Sequence, residues 1–328
     1  MWKTVNYEAC GRGHIKTGTP CQDKTLSITK NGVQIISLAD GAGSAKFSHF
    51  GAETAIKSVS HFVCDSFDTL ISTADGYKVK EEIHNRVRIA LEAEMQRLSC
   101  EYKDLASTLL LVAIKEKHFL IVHVGDGVIG YIKNGDLLVA SNPDNGEFAN
   151  ATVFLTSNNV TASMKLIKGE IDDISGFVLM SDGTAESFYH KKTKILASAI
   201  KKIVNWTALL NSEKMLSLIS DSFNEIVIKN TQDDCSIAVI ALSSNKRDEY
   251  FNMSLIEKVD LLGMNSIYSQ NIKKRISRYD EIIVFLKEPR TLKQVSRYIH
   301  LKPKYTKKYL EKLVEKGMIF KENCFYHI

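Results

Sequence analysis

The chain has 328 residues, 44% of them hydrophobic and 25% charged, which is the composition of a globular protein and excludes a disordered or fibrous one. A length above 300 residues favours two domains. The net charge of +5 is unevenly distributed, because residues 246–328 hold 18 Lys and Arg against 10 Asp and Glu, a net +8 that leaves −3 for the rest. An acidic N-terminal part therefore precedes a basic C-terminal part.

The cysteines and the N-terminus bear on the compartment of the protein. Six cysteines are scattered along the chain, without the close Cys pairs or His neighbours of a zinc site. The first residues turn polar at once, and the longest apolar run, residues 109–114, is too short to cross a bilayer. These features predict reduced thiols, a cytoplasmic location and no membrane partner.

Short apolar and β-branched runs predict strands over residues 34–39, 107–115, 119–124, 127–133, 137–140, 177–180 and 235–242. Apolar residues spaced by three and four predict helices over residues 50–64, 78–98 and 213–229. Gly125-Asp126-Gly127 and Asn134-Gly135-Asp136 are interpreted as hairpin turns that form an antiparallel meander. The pattern predicts an α+β fold in which antiparallel sheets are covered by helices.

Four aspartates stand where a predicted strand meets a turn. Asp40 and Asp182 each follow an apolar strand and precede a glycine, Asp126 lies in a glycine turn, and Asp233 precedes the last strand. Carboxylate, carbonyl and water oxygens are the ligands that Mg²⁺ and Mn²⁺ prefer, and two such ions can activate water for attack on a phosphate ester. An Asp-Gly pair alone is usually only a turn, so only the whole set points to a metal site.

These motifs resemble those of the metal-dependent protein phosphatases of type 2C, in the same order, across about residues 5–243. The segments that carry the resemblance are Gly18-Thr19-Pro20-Cys21-Gln22-Asp23, Leu38-Ala39-Asp40-Gly41-Ala42-Gly43 with Gly51-Ala52 behind it, Ala106-Ser107-Thr108-Leu109, Val124-Gly125-Asp126-Gly127, Met180-Ser181-Asp182-Gly183 and Asp233-Asp234-Cys235-Ser236-Ile237. The resemblance implies a four-layer α-β-β-α sandwich of two antiparallel sheets. It also implies hydrolysis of phosphoserine and phosphothreonine in proteins, with a cognate Ser/Thr kinase as a counterpart.

The resemblance also implies roles for individual residues. Asp40 would bridge two Mn²⁺ or Mg²⁺ ions, and Gly41 would offer its carbonyl to one of them. The other ion would be held by Asp182 and Asp233, and Asp126 matches the position that binds a third, weaker ion in many bacterial relatives. Asp23 would orient a water from outside the ligand shell. Asp234 stands where the family usually has Asn, and it is given only a supporting role.

The chain departs from the family at the residue that grips the substrate phosphate. The family generally carries an Arg five residues before the position of Asp23, and this chain has Gly18 there. Some bacterial relatives look similar, with a Gly-x-x-His segment before Thr-Pro-Cys-Gln-Asp. His14, or Arg12 or Lys16 beside it, could supply the missing donor, since a phosphate dianion needs charge-assisted hydrogen bonds. A histidine that only packs a loop is the alternative.

Two further segments are less specific. Residues 142–152 hold many turn formers and are interpreted either as a mobile flap near the site or as a plain connector. The polar stretch 243–250 predicts a boundary between a phosphatase domain, 1–245, and a basic domain, 246–328. The basic domain shows predicted helices over 279–286, 292–299 and 305–316, then Gly317 as a cap and two short strands. This order predicts a small, mostly helical, winged-helix-like domain.

The basic domain leaves two functions open. Its lysines around residues 302–312 could neutralise the phosphates of nucleic acid, but Glu311 and Glu315 interleave with them, and protein docking or regulation of the phosphatase is favoured. For the whole chain, the main hypothesis is a metal-dependent phosphatase. The alternative, prompted by the missing Arg, is a weak or inactive phosphatase-like regulator that binds a partner or DNA.

Overall fold

The structure is a computed structural model that describes residues 1–143, 152–243, 250–264 and 271–327. Two compact units divide the chain. We call the first the sandwich unit; it comprises Thr4–Val204 and Leu216–Ala241. The second, which we call the basic unit, comprises Met1–Lys3, Asn205–Met215 and Leu242–Ile328. The division into a phosphatase domain, 1–245, and a basic domain, 246–328, stays a prediction.

Two five-stranded sheets form the centre of the fold. One contains, in spatial order, β2 (Lys24–Lys30), β3 (Val33–Ala39), β4 (Leu109–Lys115), β5 (His118–Val124) and β8 (Lys165–Glu170). The other contains β1 (Trp2–Ala9), β12 (Cys235–Leu242), β9 (Ile174–Met180), β6 (Val128–Lys133) and β7 (Asp136–Ser141). A short ribbon joins β10 (Tyr189–His190) to β11 (Ile195–Leu196). Both large sheets are antiparallel.

Helices lie on the outer faces of both sheets. The helices before β12 are α1 (Arg12–Thr17), α2 (Ser48–Ser72), α3 (Gly76–Leu98), α4 (Val160–Ser163), α5 (Asp182–Phe188), α6 (Ser198–Leu209), α7 (Ser212–Ser222) and α8 (Ile228–Asn230), with a 3₁₀ turn at Tyr102–Leu105 and a π-helical turn at Phe223–Val227. The long helix α2 packs on β2, β3 and β4, with α3 beside it. On the other sheet, Gly176 makes room for Val204 of α6, because a Cβ there would lie 2.5 Å from Val204 Cγ1.

The inner faces of the sheets meet through apolar side chains. Phe119 of β5 and Phe177 of β9 place their ring centroids 5.3 Å apart, and every residue of β4 from Leu109 to Ile114 is buried. Such runs, apolar on both faces, are typical of strands covered on both sides. The layers are thus helix, sheet, sheet and helix, which confirms the predicted α-β-β-α sandwich.

One predicted hairpin is wrong. Gly125-Asp126-Gly127 does not join two paired strands, because β5 pairs with β4 and β8 while β6 pairs with β7 and β9 in the other sheet. Gly125 has a φ of +110°, which favours glycine, and the turn carries the chain from one sheet to the other. Both strands are apolar on both faces, so the local sequence does not determine which strand each one pairs with. The hairpin at Asn134-Gly135 is confirmed.

The basic unit contains the elements predicted for the C-terminus. They are α9 (Leu255–Leu261), α10 (Ile272–Phe285), β13 (Arg290–Thr291), α11 (Leu292–Tyr298), α12 (Pro303–Glu315), β14 (Phe320–Glu322) and β15 (Phe325–His327). Thr291 caps α11 in a capping box with Gln294, and Pro303 starts α12. The strands form a small sheet in the order β13, β15, β14. α11 and α12 lie close to their predicted ranges, whereas α10 begins seven residues before the predicted 279–286 and α9 was not predicted.

Two further expectations concern the membrane and the thiols. Within the described ranges, no helix combines the length and apolar character needed to span a bilayer. All six cysteines are unpaired, as expected from their scattered positions.

Candidate functional site

Asp40 lies at the end of β3, where the backbone is held from both sides. Its N–H donates to Thr108 Oγ1 at 2.9 Å, and its carbonyl accepts from the Thr108 N–H at 2.8 Å. The next residue, Gly41, donates to the Gln22 carbonyl at 3.2 Å. A Cβ on Gly41 would lie 2.8 Å from Ser48 Cβ, so only glycine fits beside the start of α2. These contacts fix the direction in which Asp40 leaves the strand.

Asp182 and Asp126 are placed by two turns, one directly after β9 and one between β5 and β6. Asp182 opens α5 directly after β9, and its Oδ1 accepts the Gly183 N–H at 2.6 Å. Gly183 is closely packed, because a Cβ there would lie 2.2 Å from the Asp234 carbonyl oxygen. Asp126 lies in the turn between β5 and β6, and its Oδ2 accepts from the Thr152 hydroxyl at 2.6 Å.

The turn that carries Asp126 is supported by a buried histidine. His123 Nε2 lies 3.0 Å from the Gly125 carbonyl, and Nδ1 lies 2.6 Å from Ser141 Oγ. Burial lowers the pKa of His123 to about 3, so the ring is neutral at pH 7. A neutral ring donates through Nε2–H to the carbonyl and accepts the Ser141 hydroxyl at Nδ1. His123 therefore ties the turn to β7.

Three of the four predicted carboxylates converge. Ligand oxygens of Asp40, Asp126 and Asp182 lie within 4.8 Å of one another. Asp233 is exposed and outside this group, although its negative charge helps to raise the pKa of Asp40 and Asp182. None of the four forms an ion pair with Lys or Arg among the residues that the structure describes. Close carboxylates without a cationic side chain fit a divalent cation.

The acidity of the cluster reflects burial and mutual repulsion. Burial, and then the charges of Asp23 and Asp182, raise the pKa of Asp40 well above its ordinary value. Burial and the Asp126 charge raise the pKa of Asp182 to about 6. These carboxyls titrate together, so each proton belongs to the cluster more than to one side chain. In the metal-free state Asp40 and Asp182 therefore hold their protons to a higher pH than an isolated aspartate does.

Asp23 lies deeper than the other acids. Its side chain is fully buried, and neither carboxylate oxygen has a hydrogen-bond partner among the described residues. Burial raises its pKa to about 8, while the nearby hydroxyls of Ser236 and Ser181 oppose the rise without being oriented to donate to it in this conformation. Both oxygens are therefore free to accept hydrogen bonds from water. The predicted role of Asp23 in orienting water stays a prediction.

His14 lies on α1 beside Asp234. Its Nδ1 is 2.9 Å from Asp234 Oδ2, although the ring is not oriented for a good N–H hydrogen bond. Burial raises the pKa of Asp233, and the charge of His14 partly opposes that rise. Nδ1 therefore faces protein, and Nε2 has no partner in the described part of the chain. The other two candidates differ, because Arg12 donates through Nε to the Thr231 carbonyl at 3.0 Å and Lys16 is exposed.

Asp234 has a larger structural part than the sequence indicated. It is buried, its Oδ1 accepts the Gly11 N–H, and its Oδ2 accepts the Gln22 N–H, both at 2.6 Å. Both ends of the segment that carries α1 are thus bound to the start of β12. With Cys10 and His14 it also forms a second group of close ligand atoms.

Sequence reasoning missed several residues that shape the site. They are Thr108, which holds the Asp40 backbone, Thr152, which donates to Asp126, and Ser181, which accepts the Ser236 N–H at 3.0 Å. Thr108 belongs to the motif Ala106-Ser107-Thr108-Leu109, but the motif alone does not reveal that Thr108 binds the backbone of Asp40. The suggested flap at 142–152 lies mostly outside the described residues, which resume at Thr152.

The profile of the Protein phosphatase 2C family matches residues 10–221, well over half of the chain, and the chain therefore belongs to that family. Asp23, Asp40, Asp126 and Asp182 lie inside the matched range, and Asp233 lies beyond it. The chain is also 26% identical over 170 residues to serine/threonine-protein phosphatase 3 of Escherichia coli, covering 50% of this chain and 66% of that protein, just under two thirds. The predicted family is confirmed.

Solved structures support the fold. A bacterial serine phosphatase superposes with a TM-score of 0.51 at 18% identity, covering 75% of this chain and all of that one. The serine/threonine phosphatase Stp1 from Staphylococcus aureus superposes with a TM-score of 0.50 at 18% identity, covering 74% and 96% of the two chains. The predicted enzyme class, a serine/threonine protein phosphatase, is the class to which these named relatives belong.

Proposed function

We propose that this protein hydrolyses phosphoserine and phosphothreonine in other proteins, using Mn²⁺ or Mg²⁺ ions held by its aspartates. The convergence of Asp40, Asp126 and Asp182 within 4.8 Å carries this proposal. Three close carboxylates repel one another strongly, and a divalent cation is the natural compensation for that repulsion. The names of the relatives support the substrate class, and a Ser/Thr kinase is the expected counterpart that supplies the substrate.

The donor set suits a binuclear centre with a third, weaker ion. Asp40 and the Gly41 carbonyl would help to hold the two main ions, Asp182 and Asp233 would add donors for one of them, and Asp126 would hold the third. When bound, the ions would supply a water acidic enough to attack phosphorus near neutral pH and would clamp the phosphoryl oxygens. Hard oxygen donors without thiolates or imidazoles fit Mn²⁺ and Mg²⁺ better than Zn²⁺.

Two other side chains act on water and substrate. Asp23 offers both carboxylate oxygens, which lack protein partners among the described residues, to the hydrogens of the attacking water. His14 keeps Nδ1 toward Asp234 and presents Nε2 to the substrate phosphate, in place of the Arg that the family generally carries. A protonated imidazole provides a charge-assisted donor of the kind that a phosphate dianion requires.

Release of phosphate from a phosphothreonine peptide in Mn²⁺ tests the proposal. We expect activity in the wild type and a loss of at least about a hundred-fold in Asp40→Asn, because loss of a residue outside the ligand shell already costs about 10–100-fold. Asp136→Asn is the matched control, since Asp136 is exposed at the start of β7 and outside the cluster. A folded wild type that releases no phosphate, or an Asp40→Asn variant as active as Asp136→Asn, contradicts the proposal.

A further inference from the structure

A second site lies in the basic unit, in a cavity of about 350 Å³ between the end of α9 and the helices α10 and α12. Three cationic side chains line it, Arg275, Lys308 and Lys312, together with three tyrosines, Tyr279, Tyr305 and Tyr309. Small-molecule sites typically have volumes of about 300–1,000 Å³, so this cavity is large enough for one. None of these residues belongs to the phosphatase motifs.

Helical spacing explains why these residues meet. Tyr305, Lys308, Tyr309 and Lys312 follow one another at i, i+3, i+4 and i+7 on α12, so they share one face of that helix. On α10, Arg275 and Tyr279 are one turn apart and share a face too. Both faces line the cavity. Cationic groups thus approach it from two different helices.

The positive charge of the cavity is only partly neutralised. Lys312 Nζ lies 3.1 Å from Glu315 Oε1, and Lys316 Nζ lies 3.6 Å from the same oxygen. Burial and the Lys312 charge lower the pKa of Lys316, which indicates a crowded positive region. By contrast, Arg275 and Lys308 have no acidic partner within the described ranges. At least two cationic groups are therefore available to an anion.

Part of this charge has a structural explanation. The side-chain amines of Lys312 and Lys316 lie close to Gly263, just beyond the C-terminus of α9. A Cβ added to Gly263 would be 3.5 Å from Lys316 Nζ and 3.8 Å from Lys312 Nζ. Cations at a helix C-terminus offset its partial negative charge. This accounts for Lys312 and Lys316 but leaves Arg275 and Lys308 without a structural role.

The tyrosines offer both a fixed and an open aromatic surface. Tyr279 is buried and its ring lies 4.7 Å from that of Tyr309 at an angle of 55°. Tyr305, one turn earlier on α12, is 52% exposed. An exposed ring beside a buried aromatic pair is a suitable surface for stacking a planar group.

We propose that this cavity binds a nucleoside diphosphate or triphosphate, with the phosphates at Arg275 and Lys308 and the base stacked on Tyr305. The combination of unpaired cations and an open aromatic ring matches a ligand that has both a polyanionic and a planar part. A long nucleic acid fits less well, because Glu311 and Glu315 also lie on α12, and Glu311 is 3.6 Å from Lys307 there. The site is distinct from the aspartate cluster and does not depend on the proposed activity.

Calorimetric titration of ADP into the full chain in EDTA tests this site. We expect saturable binding that weakens about ten-fold or more in Lys308→Gln, from the loss of a charge-assisted hydrogen bond. Tyr305→Ala should weaken it about five-fold or more, as expected for loss of base stacking, while Tyr305→Phe should retain it. Lys307→Gln is the matched control, because it removes the same charge from a neighbouring residue that does not line the cavity.

Further titrations distinguish this site from the aspartate cluster and distinguish ADP from other ligands. Asp40→Asn should bind ADP as the wild type does, and inorganic pyrophosphate should bind more weakly than ADP. Absence of ADP binding at millimolar concentration overturns the proposal, as does equal weakening by Lys307→Gln and Lys308→Gln. Tighter competition by a phosphopeptide or an oligonucleotide than by ADP also overturns it, in favour of that ligand. Failure of the phosphatase assay would leave these results unaffected.

Discussion

Asp182 destabilises the metal-free protein, because its pKa of about 6 lies above the ordinary value of 3.8. A carboxyl with a raised pKa costs folding free energy that is absent below pH 3.8 and complete above pH 6. We therefore expect Asp182→Asn in EDTA to raise the free energy of unfolding by up to about 3 kcal/mol at pH 8, and by less than about 1 kcal/mol at pH 4. Urea denaturation at the two pH values measures this.

The same substitution should have the opposite effect when Mn²⁺ is present, since a bound cation stabilises only a protein that can hold it. Asp136→Asn again serves as the control and should change stability little under either condition. Destabilisation of the protein by Asp182→Asn in EDTA at pH 8 would contradict the raised pKa of Asp182.

His123 should make the protein sensitive to acid. Its pKa is lowered to about 3 by burial, below the ordinary 6.5, so the unfolded state takes up a proton first as the pH falls. Stability from this group is complete above pH 6.5 and is lost toward pH 3, which amounts to about 2 kcal/mol by pH 5. The fall in unfolding free energy between pH 7.5 and 5 should be smaller by that amount in His123→Gln. An equal fall in both proteins would show that His123 titrates normally.

Individual site residues differ in how far the sequence reveals them. Asp40, Asp126 and Asp182 each stand at a strand end beside glycine, and the whole set, in the order of the family's motifs, predicted them to be ligands. The contact of Thr152 with Asp126 spans 26 positions, and that of Asp234 with Gly11 spans 223. Contacts that depend on the packing of distant segments leave no periodic or spacing signal in the chain.

At the scale of elements, the start of α5 depends on a close backbone approach at Gly183. A Cβ there would lie 2.2 Å from the Asp234 carbonyl oxygen. We expect Gly183→Ala to lower the free energy of unfolding by about 1–3 kcal/mol, as overpacking does, and to lower Mn²⁺-dependent activity by displacing Asp182. Urea denaturation and the phosphopeptide assay measure the two effects.

Gly76→Ala is the control for that substitution. Gly76 is the first residue of α3, and the nearest heavy atom to an added Cβ would be 3.8 Å away, so alanine should be neutral or slightly stabilising. Equal stability of the Gly183→Ala and Gly76→Ala proteins would mean that α5 can move away from Asp234 without cost.

Strands and helices were predicted more reliably than their pairing. Residues 34–39 and 235–242 were placed within about a residue of β3 and β12, because buried apolar runs are a strong local signal. The pairing of β5 and β6 was wrong, since a turn signal gives a reversal of the chain but not the sheet that it enters. The polar strands β2 and β8, in which no residue is buried, were not predicted at all, and neither was β1.

At the scale of the whole molecule, the family and the sandwich were predictable because several motifs occur in one order along the chain. Composition also indicated a basic C-terminal part, and the helices of the basic unit appear there. The division into units was harder to foresee, since Asn205–Met215 groups with the C-terminal residues and not with its sequence neighbours. Contacts between segments distant in sequence determine such groupings.

Titration of Mn²⁺ into the metal-free full chain tests most directly whether the aspartates form a metal centre. We predict at least two ions bound per wild-type chain, loss of the tighter binding in Asp40→Asn, and unchanged binding in Asp136→Asn. Calorimetry together with the electron paramagnetic resonance signal of free Mn²⁺ gives the stoichiometry without relying on activity. A folded wild type that binds no Mn²⁺, or an Asp40→Asn variant that binds it equally well, would contradict the account.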